Sequence, residues 1–322
     1  MKKTVKPLAL ALIAAALLAL TACGEAAPDE TYRVWFVAKS TDTEFWKAAF
    51  AGANAAKSEY NVELTICGPR TEEDYLTQNR YVEDAVKAGA DALIFSSISY
   101  VENAAAIDAA AESGVKVVVI DSDVASSRVS ARIGTDNVQA GRMAASAALD
   151  SPQERLTVGI VNYDLGSRNG QEREQGFREL LGDSGRVEQI HTINVLAEVE
   201  DAREGTLRLL REHPQINVIA AFNEPLSVGA ALAVEELGAG ERVRMVGFDT
   251  NIICADLMRT GSVAALIVQN PYGMGYLGVE TAWKLLQGVS FDPDKLIDTS
   301  TLVVSKENMF APECQKALFP FG

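Results

Sequence analysis

Residues 92–121 read ALIFSSISYVENAAAIDAAAESGVKVVVID, and their pattern decides the fold. Two continuous apolar runs, 92–95 and 117–120, enclose a segment with helical spacing that ends just before Gly114. Continuous apolar runs of this length are typical of parallel strands covered on both faces, and glycine is common directly after a helix. The stretch therefore predicts a strand–helix–strand unit of an α/β protein.

The same alternation extends in both directions along the chain. Further strands are predicted at 34–37, 62–67, 156–161, 186–194, 216–222 and 243–248, and helices at 45–60, 72–89, 104–113, 137–149, 171–181, 200–212 and 225–237. The pattern restarts after Asn137, and each half exceeds 100 residues. We therefore predict two Rossmann-like lobes, each with a doubly wound parallel sheet.

Composition excludes several classes of function. The 322 residues are 48% apolar and 23% charged, as in globular proteins, and the length points to two domains or one large α/β unit. The net charge of −15 argues against a nucleic-acid partner. Two histidines and four irregularly spaced cysteines predict neither a metal site nor a histidine-based triad. No GxGxxG or GxxxxGK[ST] follows a predicted strand, so no nucleotide cofactor is expected.

The N-terminus has the features of an export signal. Three lysines precede the 13-residue apolar run 8–20, which is too short to cross a hydrocarbon core of about 30 Å. The run ends in Leu20-Thr21-Ala22-Cys23, which resembles the lipobox of bacterial lipoproteins. We predict a signal peptide over 1–22, lipidation of Cys23, a polar tether over 23–31 and membrane contact through the lipid anchor only. An ordinary signal peptide with an incidental cysteine is the alternative.

Cleavage would lower the net charge from −15 to −18, because residues 1–22 contain three lysines and no acid. Cys67, Cys254 and Cys314 would remain in an oxidising compartment. Their odd number allows one disulfide with one free thiol, or three buried thiols. Cys254 with Cys314 is a conceivable pair.

Polar and aromatic residues follow the predicted strands, where open parallel sheets bind their ligands. They are Asp, Asn, Gln, Ser and aromatic residues without a nucleophile–base pair, a set that suits sugar hydroxyls and C–H faces and does not predict an enzyme. Structural alternatives exist. Asp121 fits a loop cap, Asn223 before Glu224-Pro225 fits a helix N-cap, and Phe45 with Trp46 fits the core.

Six stretches together resemble one known family. They are 43–46 (TEFW), 119–121 (VID), 133–137 (IGTDN), 172–177 (EREQGF), 246–249 (VGFD) and 269–271 (QNP). In this order they are similar to the periplasmic sugar-binding proteins of ABC importers, the ribose- and galactose-binding type with the type I fold. The resemblance runs from about residue 31 to residue 320.

The resemblance implies a set of ligand-binding residues. Phe45 and Trp46 would sandwich the sugar ring, and the others would supply polar groups. Ser122 and Gln171 stand where ribose-binding members have arginines. Arg173, or alternatively Arg168, is expected to take over part of that work, and the identity of the sugar stays open. The expected set is Lys39, Thr43, Phe45, Trp46, Ser96, Asp121, Ser122, Gln171, Arg173, Asn223, Asp249 and Gln269.

The resemblance also implies discontinuous lobes joined by a three-segment hinge. The N-terminal lobe would comprise 32–135 plus 270–298, and the C-terminal lobe 136–269 plus 299–322. The chain would cross between them near 135, 270 and 299, a helix at 273–287 would return to the first lobe, and a strand at 301–305 would join the second. Ligand would close the lobes about this hinge.

These features predict a monomeric binding lipoprotein at the cell envelope, in the periplasm or on the outer face of the cytoplasmic membrane. It would capture a monosaccharide or related polyol and deliver it to the membrane subunits of an ABC permease, without metal or cofactor. The alternative is a sensing protein of the same fold that feeds a chemoreceptor or sensor kinase. A sugar-responsive repressor would need a basic helix-turn-helix where residues 1–22 resemble a signal peptide.

Overall fold

The computed structural model describes residues 31–163 and 165–319. The predicted signal peptide, Cys23, nearly all of the tether and residues 320–322 lie outside these ranges. The strands are β1 Arg33–Val37, β2 Glu63–Cys67, β3 Ala92–Phe95, β4 Lys116–Ile120, β5 Ala131–Gly134, β6 Leu156–Asn162, β7 Val187–Asn194, β8 Val218–Ala221, β9 Arg244–Phe248, β10 Ala265–Val268, β11 Leu296–Asp298 and β12 Leu302–Ser305. The helices are α1 Glu44–Tyr60, α2 Tyr75–Lys87, α3 Ala104–Glu112, α4 Asn137–Leu149, α5 Arg168–Asp183, α6 Val199–Glu212, α7 Glu224–Glu236, α8 Ile252–Thr260, α9 Pro271–Leu286 and α10 Pro312–Leu318.

The strands form two six-stranded sheets, which confirms the predicted α/β fold with two lobes. The first sheet has the order β11-β5-β4-β3-β1-β2 and the second the order β12-β10-β9-β8-β6-β7. All neighbours run parallel except β10 and β12, which pair antiparallel. The central strands β3, β6 and β8 are buried along their whole length, as expected for parallel strands covered by helices on both faces.

The chain passes between the two sheets three times, after β5, after β10 and after β11. These segments are hydrogen-bonded to one another. The Thr299 N–H donates to the Gly134 carbonyl at 2.9 Å, and Asn270 Nδ2 donates to the Thr299 carbonyl at 3.2 Å. The strand order supports the proposed lobes, 32–135 plus 270–298 and 136–269 plus 299–322, whose limits stay a prediction.

Several local predictions needed correction. Helix α2 begins at Tyr75 rather than at residue 72, because the Asp74 side chain accepts from the Thr77 N–H at 2.9 Å and caps the helix. Cys67, Cys254 and Cys314 are free thiols, so the conceivable Cys254–Cys314 disulfide is not formed.

No helix in the described part of the chain has the length and apolar character needed to span a bilayer.

Each lobe contains a pair of helices that touch through glycine. In the first lobe, a Cβ atom at Gly275 of α9 would lie 1.8 Å from the Ala49 carbonyl oxygen of α1. In the second lobe, a Cβ atom at Gly176 of α5 would lie 1.9 Å from the Val138 carbonyl oxygen of α4. Only glycine allows such an approach of two backbones. The contact at Gly275 holds the returning helix α9 against the first lobe.

Replacing Gly275 with alanine should therefore destabilise the protein by about 1–3 kcal/mol, because the added methyl group overlaps a backbone atom that cannot turn away. Urea unfolding would measure this change. Gly182→Ala in α5 is the matched control, since a Cβ atom there meets nothing within 4 Å. It should leave the protein unchanged or stabilise it by up to about 1 kcal/mol. Equal effects of the two variants would contradict the close contact.

Candidate functional site

A cleft lies where the carboxyl ends of the strands of both sheets meet. From the first lobe it is lined by Lys39, Thr43, Phe45, Trp46, Glu72 and Asp121, and from the second by Tyr163, Asn169, Arg173, Asn223, Glu224, Pro225, Asp249 and Gln269. Its free volume is about 20 Å³, which is space for a water molecule or two. The lobes are thus closed on one another here, and Phe45, Asp249 and Gln269 also line an adjoining cavity of about 750 Å³.

Nine of the twelve predicted ligand residues line this cleft, and Ser96, Ser122 and Gln171 do not. Ser96 is buried behind Asp121 and donates a hydrogen bond to its carboxylate at 2.9 Å. Ser122 Oγ and Gln171 Nε2 are buried without a hydrogen-bond partner among the residues that the structure describes. The structure therefore gives Ser96 a supporting position and leaves Ser122 and Gln171 outside the wall of the cleft.

Five lining residues were not among the predicted ligand residues: Glu72, Tyr163, Asn169, Glu224 and Pro225. Tyr163 directly follows β6 and Glu224 lies three residues after β8, so their position in the sequence was a usable signal. Glu72 was assigned to a helix that in fact begins later, and Asn169 lies in the first turn of α5.

A buried ion pair forms one end of the cleft. Lys39 Nζ lies 2.9 Å from Glu72 Oε2, and it donates to Ser167 Oγ of the second lobe at 3.4 Å. Burial by itself lowers the pKa of Lys39, but Glu72, Tyr163 and Asp121 together outweigh it, so the pKa lies above its ordinary value. Trp46 Nε1 donates to the other oxygen of Glu72 at 3.0 Å. The pair is thus held by both lobes.

Asp121 and Asp249 occupy corresponding positions, each one residue after a buried strand of its lobe. Their backbones have positive φ angles of 57° and 65°, a conformation that aspartate tolerates better than most residues. Asp121 accepts from Asn169 Nδ2 of the second lobe at 3.0 Å. Asp249 accepts from Gln269 Nε2 at 2.7 Å. Burial raises the pKa of Asp249 to about 7, although Arg173 and Gln269 act in the opposite direction.

Arg173 is 1% exposed and supports the second-lobe wall from behind. Its Nε donates to Asn137 Oδ1 at 2.9 Å, Nη1 to the Phe222 carbonyl at 2.7 Å and Nη2 to Gln269 Oε1 at 2.8 Å. Because Gln269 accepts from Arg173 and donates to Asp249, its amide has one fixed orientation. Arg173 therefore positions Asp249 through Gln269.

The carboxylate of Glu224 connects the lobes. It accepts hydrogen bonds from the N–H groups of Glu44 at 3.3 Å and Phe45 at 2.9 Å, which are the first residues of α1 in the other lobe. A helix N-terminus attracts anions because its N–H groups point outward and its dipole is positive there. Asn251 Nδ2 adds a third donor at 2.9 Å. Burial still raises the pKa of Glu224 above its ordinary value.

Asn223 and Trp46 line the cleft and also have the structural roles, helix N-cap and core residue, that their sequence positions suggested. Asn223 Oδ1 accepts from the Leu226 N–H at 3.1 Å as an N-cap, while its buried Nδ2 has no partner. Trp46 is 1% exposed and packs in the first-lobe core beside Phe36 and Phe50, so only its edge contributes to the cleft. Phe45 is half-buried and presents more of its ring.

No group of three or more His, Cys, Asp or Glu within 31–163 and 165–319 could hold a metal ion.

Comparison with known proteins identifies the family. Residues 34–290 match the sequence profile described as periplasmic binding protein domain. The chain belongs to this family of periplasmic binding proteins. The predicted resemblance is thereby confirmed.

Similar members of the periplasmic binding protein family include the D-ribose/D-allose-binding protein of Pseudomonas aeruginosa, 26% identical over 309 residues that cover 90% of this chain and 96% of that protein. The ribose import binding protein of Haemophilus influenzae is 26% identical, with coverages of 91% and 98%. A carbohydrate transporter solute binding protein from Agrobacterium radiobacter, solved with D-arabinose, superimposes with a TM-score of 0.87 at 25% identity and covers 90% of this chain and 100% of its own. These relatives are named for binding and transport, so the chain is a binding protein rather than an enzyme.

The pKa of Asp249 makes stability depend on pH. The folded protein holds this proton more tightly than the unfolded chain, whose aspartate has an ordinary pKa near 3.8, so protonation favours folding. The contribution is fully present below pH 4 and is lost as the pH rises through about 7. Relative to Asp249→Asn, the wild-type unfolding free energy should fall by up to about 4 kcal/mol over this range. Urea unfolding at several pH values would measure it, and parallel pH profiles would contradict it.

Proposed function

We propose that this protein captures a monosaccharide between its two lobes and delivers it to the membrane subunits of an ABC permease. The observation that carries the proposal is the cleft itself. It combines buried hydrogen-bonding side chains from both lobes with the aromatic rings of Phe45, Trp46 and Tyr163. Hydroxyl groups need several fixed donors and acceptors, and the C–H face of a sugar ring packs on an aromatic face.

The positions of the donors and acceptors support a ligand that bridges the lobes. Asp121 ends a first-lobe strand, whereas Asn223, Asp249 and Gln269 follow second-lobe strands. Asn223 Nδ2 is buried without a partner in the described part of the chain and offers a donor to a ligand oxygen. A ligand held by both sets of side chains binds the closed form better than the open form, which is the requirement for closure on binding.

Relatives support the same ligand class and the transport role. The proteins named above are described as binding ribose or allose, or were solved with D-arabinose, and a further structure from Agrobacterium vitis at 26% identity holds D-fucose. Ser122 and Gln171 lie outside the cleft wall, and the buried cations of the cleft are Lys39 and Arg173. We therefore expect this chain to prefer a sugar different from those of its relatives.

We further propose that the protein acts as a monomer outside the cytoplasm, tethered by a lipid on Cys23. The basic start, the apolar run 8–20 and the sequence before Cys23 support export and lipidation. The acidic net charge disfavours adsorption to anionic lipid, so the anchor would be the sole membrane contact.

Phe45 tests the sugar site directly. Phe45→Ala should weaken binding of the cognate monosaccharide by about 1–3 kcal/mol, or roughly 5- to 150-fold, because it removes the more accessible ring of the cleft. A thermal-shift screen of pentoses and hexoses identifies the sugar, and calorimetry then gives the affinities.

Phe310→Ala is the matched control, since Phe310 is 73% exposed and does not line the cleft. It should bind the sugar with wild-type affinity. Unchanged affinity of Phe45→Ala would remove the ring from the site, and a screen in which no monosaccharide stabilises the protein would overturn the proposed function.

Cys23 tests the anchor. Cys23→Ser removes the sulfur that would carry the lipid, so the variant should move from the membrane fraction to the soluble fraction when expressed in a bacterial host. Cys67→Ser is the control, because this thiol lies within the folded body and should leave the distribution unchanged. A wild-type protein without lipid by mass spectrometry would contradict the anchor.

A further inference from the structure

The residues that line the cleft carry more negative than positive charge. Glu72, Asp121, Glu224 and Asp249 are acidic, whereas only Lys39 and Arg173 are basic. All six side chains are almost completely buried in the closed structure. Buried charge is costly unless it is compensated. The excess of two carboxylates therefore favours a ligand that carries positive charge.

Both cations are already engaged within the protein. Lys39 is paired with Glu72 at 2.9 Å, and Arg173 donates to Asn137, to the Phe222 carbonyl and to Gln269. A ligand anion would have to break these contacts. The geometry therefore disfavours acidic sugars such as uronates.

The carboxylates differ in how well they are compensated. Glu72 faces Lys39, Glu224 accepts from α1 and from Asn251, and Asp121 accepts from Ser96 and Asn169. Among residues 31–163 and 165–319, the side chain of Asp249 instead receives a single hydrogen bond, from the neutral amide of Gln269. The charged groups that influence it are Arg173 of α5, Glu224 of α7 and Asp121 after β4, and two of these three are also acidic. Asp249 is thus the least compensated charge in the cleft.

An aromatic ring completes this environment. Phe45 presents more of its ring to the space beside Asp249 than the almost fully buried Trp46 does, whereas the Tyr163 ring already has Lys39 Nζ 5.2 Å from its centre. The face of an aromatic ring is electron-rich and attracts cations, most strongly where water is excluded. The carboxylate of Asp249 beside Phe45 is therefore a suitable site for an ammonium group.

We propose that the ligand is an amino sugar, a monosaccharide with a free primary amine, whose ammonium group pairs with Asp249. The inference rests on the proposed function, since it names the class of monosaccharide that this cleft takes. The hydroxyl groups would be held by the remaining polar side chains, and the net charge of −15 would favour the encounter with a cationic ligand.

Calorimetry with matched ligands tests the proposal. D-Glucosamine and D-galactosamine would each be compared with the parent hexose, the N-acetylated form and the uronate, at pH 7 and pH 5. At pH 7 at least one amine should bind about 10- to 100-fold more tightly than its parent, and the N-acetylated form and the uronate more weakly than the amine. The advantage should shrink at pH 5, where protonation of Asp249 removes the charge.

Asp249→Asn separates charge from shape, because asparagine also tolerates the positive φ angle. In this variant the amine and its parent should bind within about 3-fold of each other. Asp256→Asn is the control, since it removes the same charge from an exposed position of the same lobe, where Asp256 pairs with Arg259, and it should keep the wild-type ratio.

The outcomes are distinct. A wild-type protein that binds the parent hexose as tightly as the amine, or more tightly, would overturn the amino-sugar proposal and leave the sugar-binding function standing. A wild-type protein that binds no neutral or amino monosaccharide would overturn both. If Asp249→Asn does not fold, the wild-type ratio and its change between pH 7 and pH 5 still decide the question.

Discussion

Compensation of buried charge is the constraint on which the cleft depends. Six charged side chains are enclosed where the two sheets meet, and each carboxylate needs donors that the backbone or another side chain supplies. Lys39 neutralises Glu72, the N-terminus of α1 receives Glu224, and Arg173 holds Gln269 against Asp249.

The same constraint links closure of the lobes to ligand. Opening the cleft would let water solvate Asp249 and Glu224, whose pKa values are raised by burial in the closed form. Closure without ligand therefore carries a desolvation cost. The contact of Glu224 with α1 and the bond from Asn169 to Asp121 offset part of it, and donors on a ligand would offset more. A ligand can shift the equilibrium only by this difference in affinity between the two forms.

The sequence predicted the elements because buried parallel strands such as β3 and β6 are continuous apolar runs, a pattern that needs no tertiary information. It did not predict β5 or β11, which have four and three residues and become strands only by pairing with each other and with β4. Position after a strand found Asp121 and Asp249. The direction of a side chain is not encoded in that position, so Ser122 was expected in the cleft and lies outside it, whereas Glu72 was missed because a single cap at Asp74 decides where α2 begins.

The fold of this chain and the charge of its cleft depend on different parts of the structure. The fold is set by backbone geometry, and a relative with 25% sequence identity superimposes on it with a TM-score of 0.87. The charge of the cleft depends on a few side chains that contact one another rather than the backbone. Lys39 is paired with Glu72, and Arg173 donates a hydrogen bond to Gln269, so each cation already has an acceptor within the protein. The basic residues that line the cleft therefore offer little positive charge to a ligand. Its preference among ligands is then set by the acid that remains least compensated, which is Asp249.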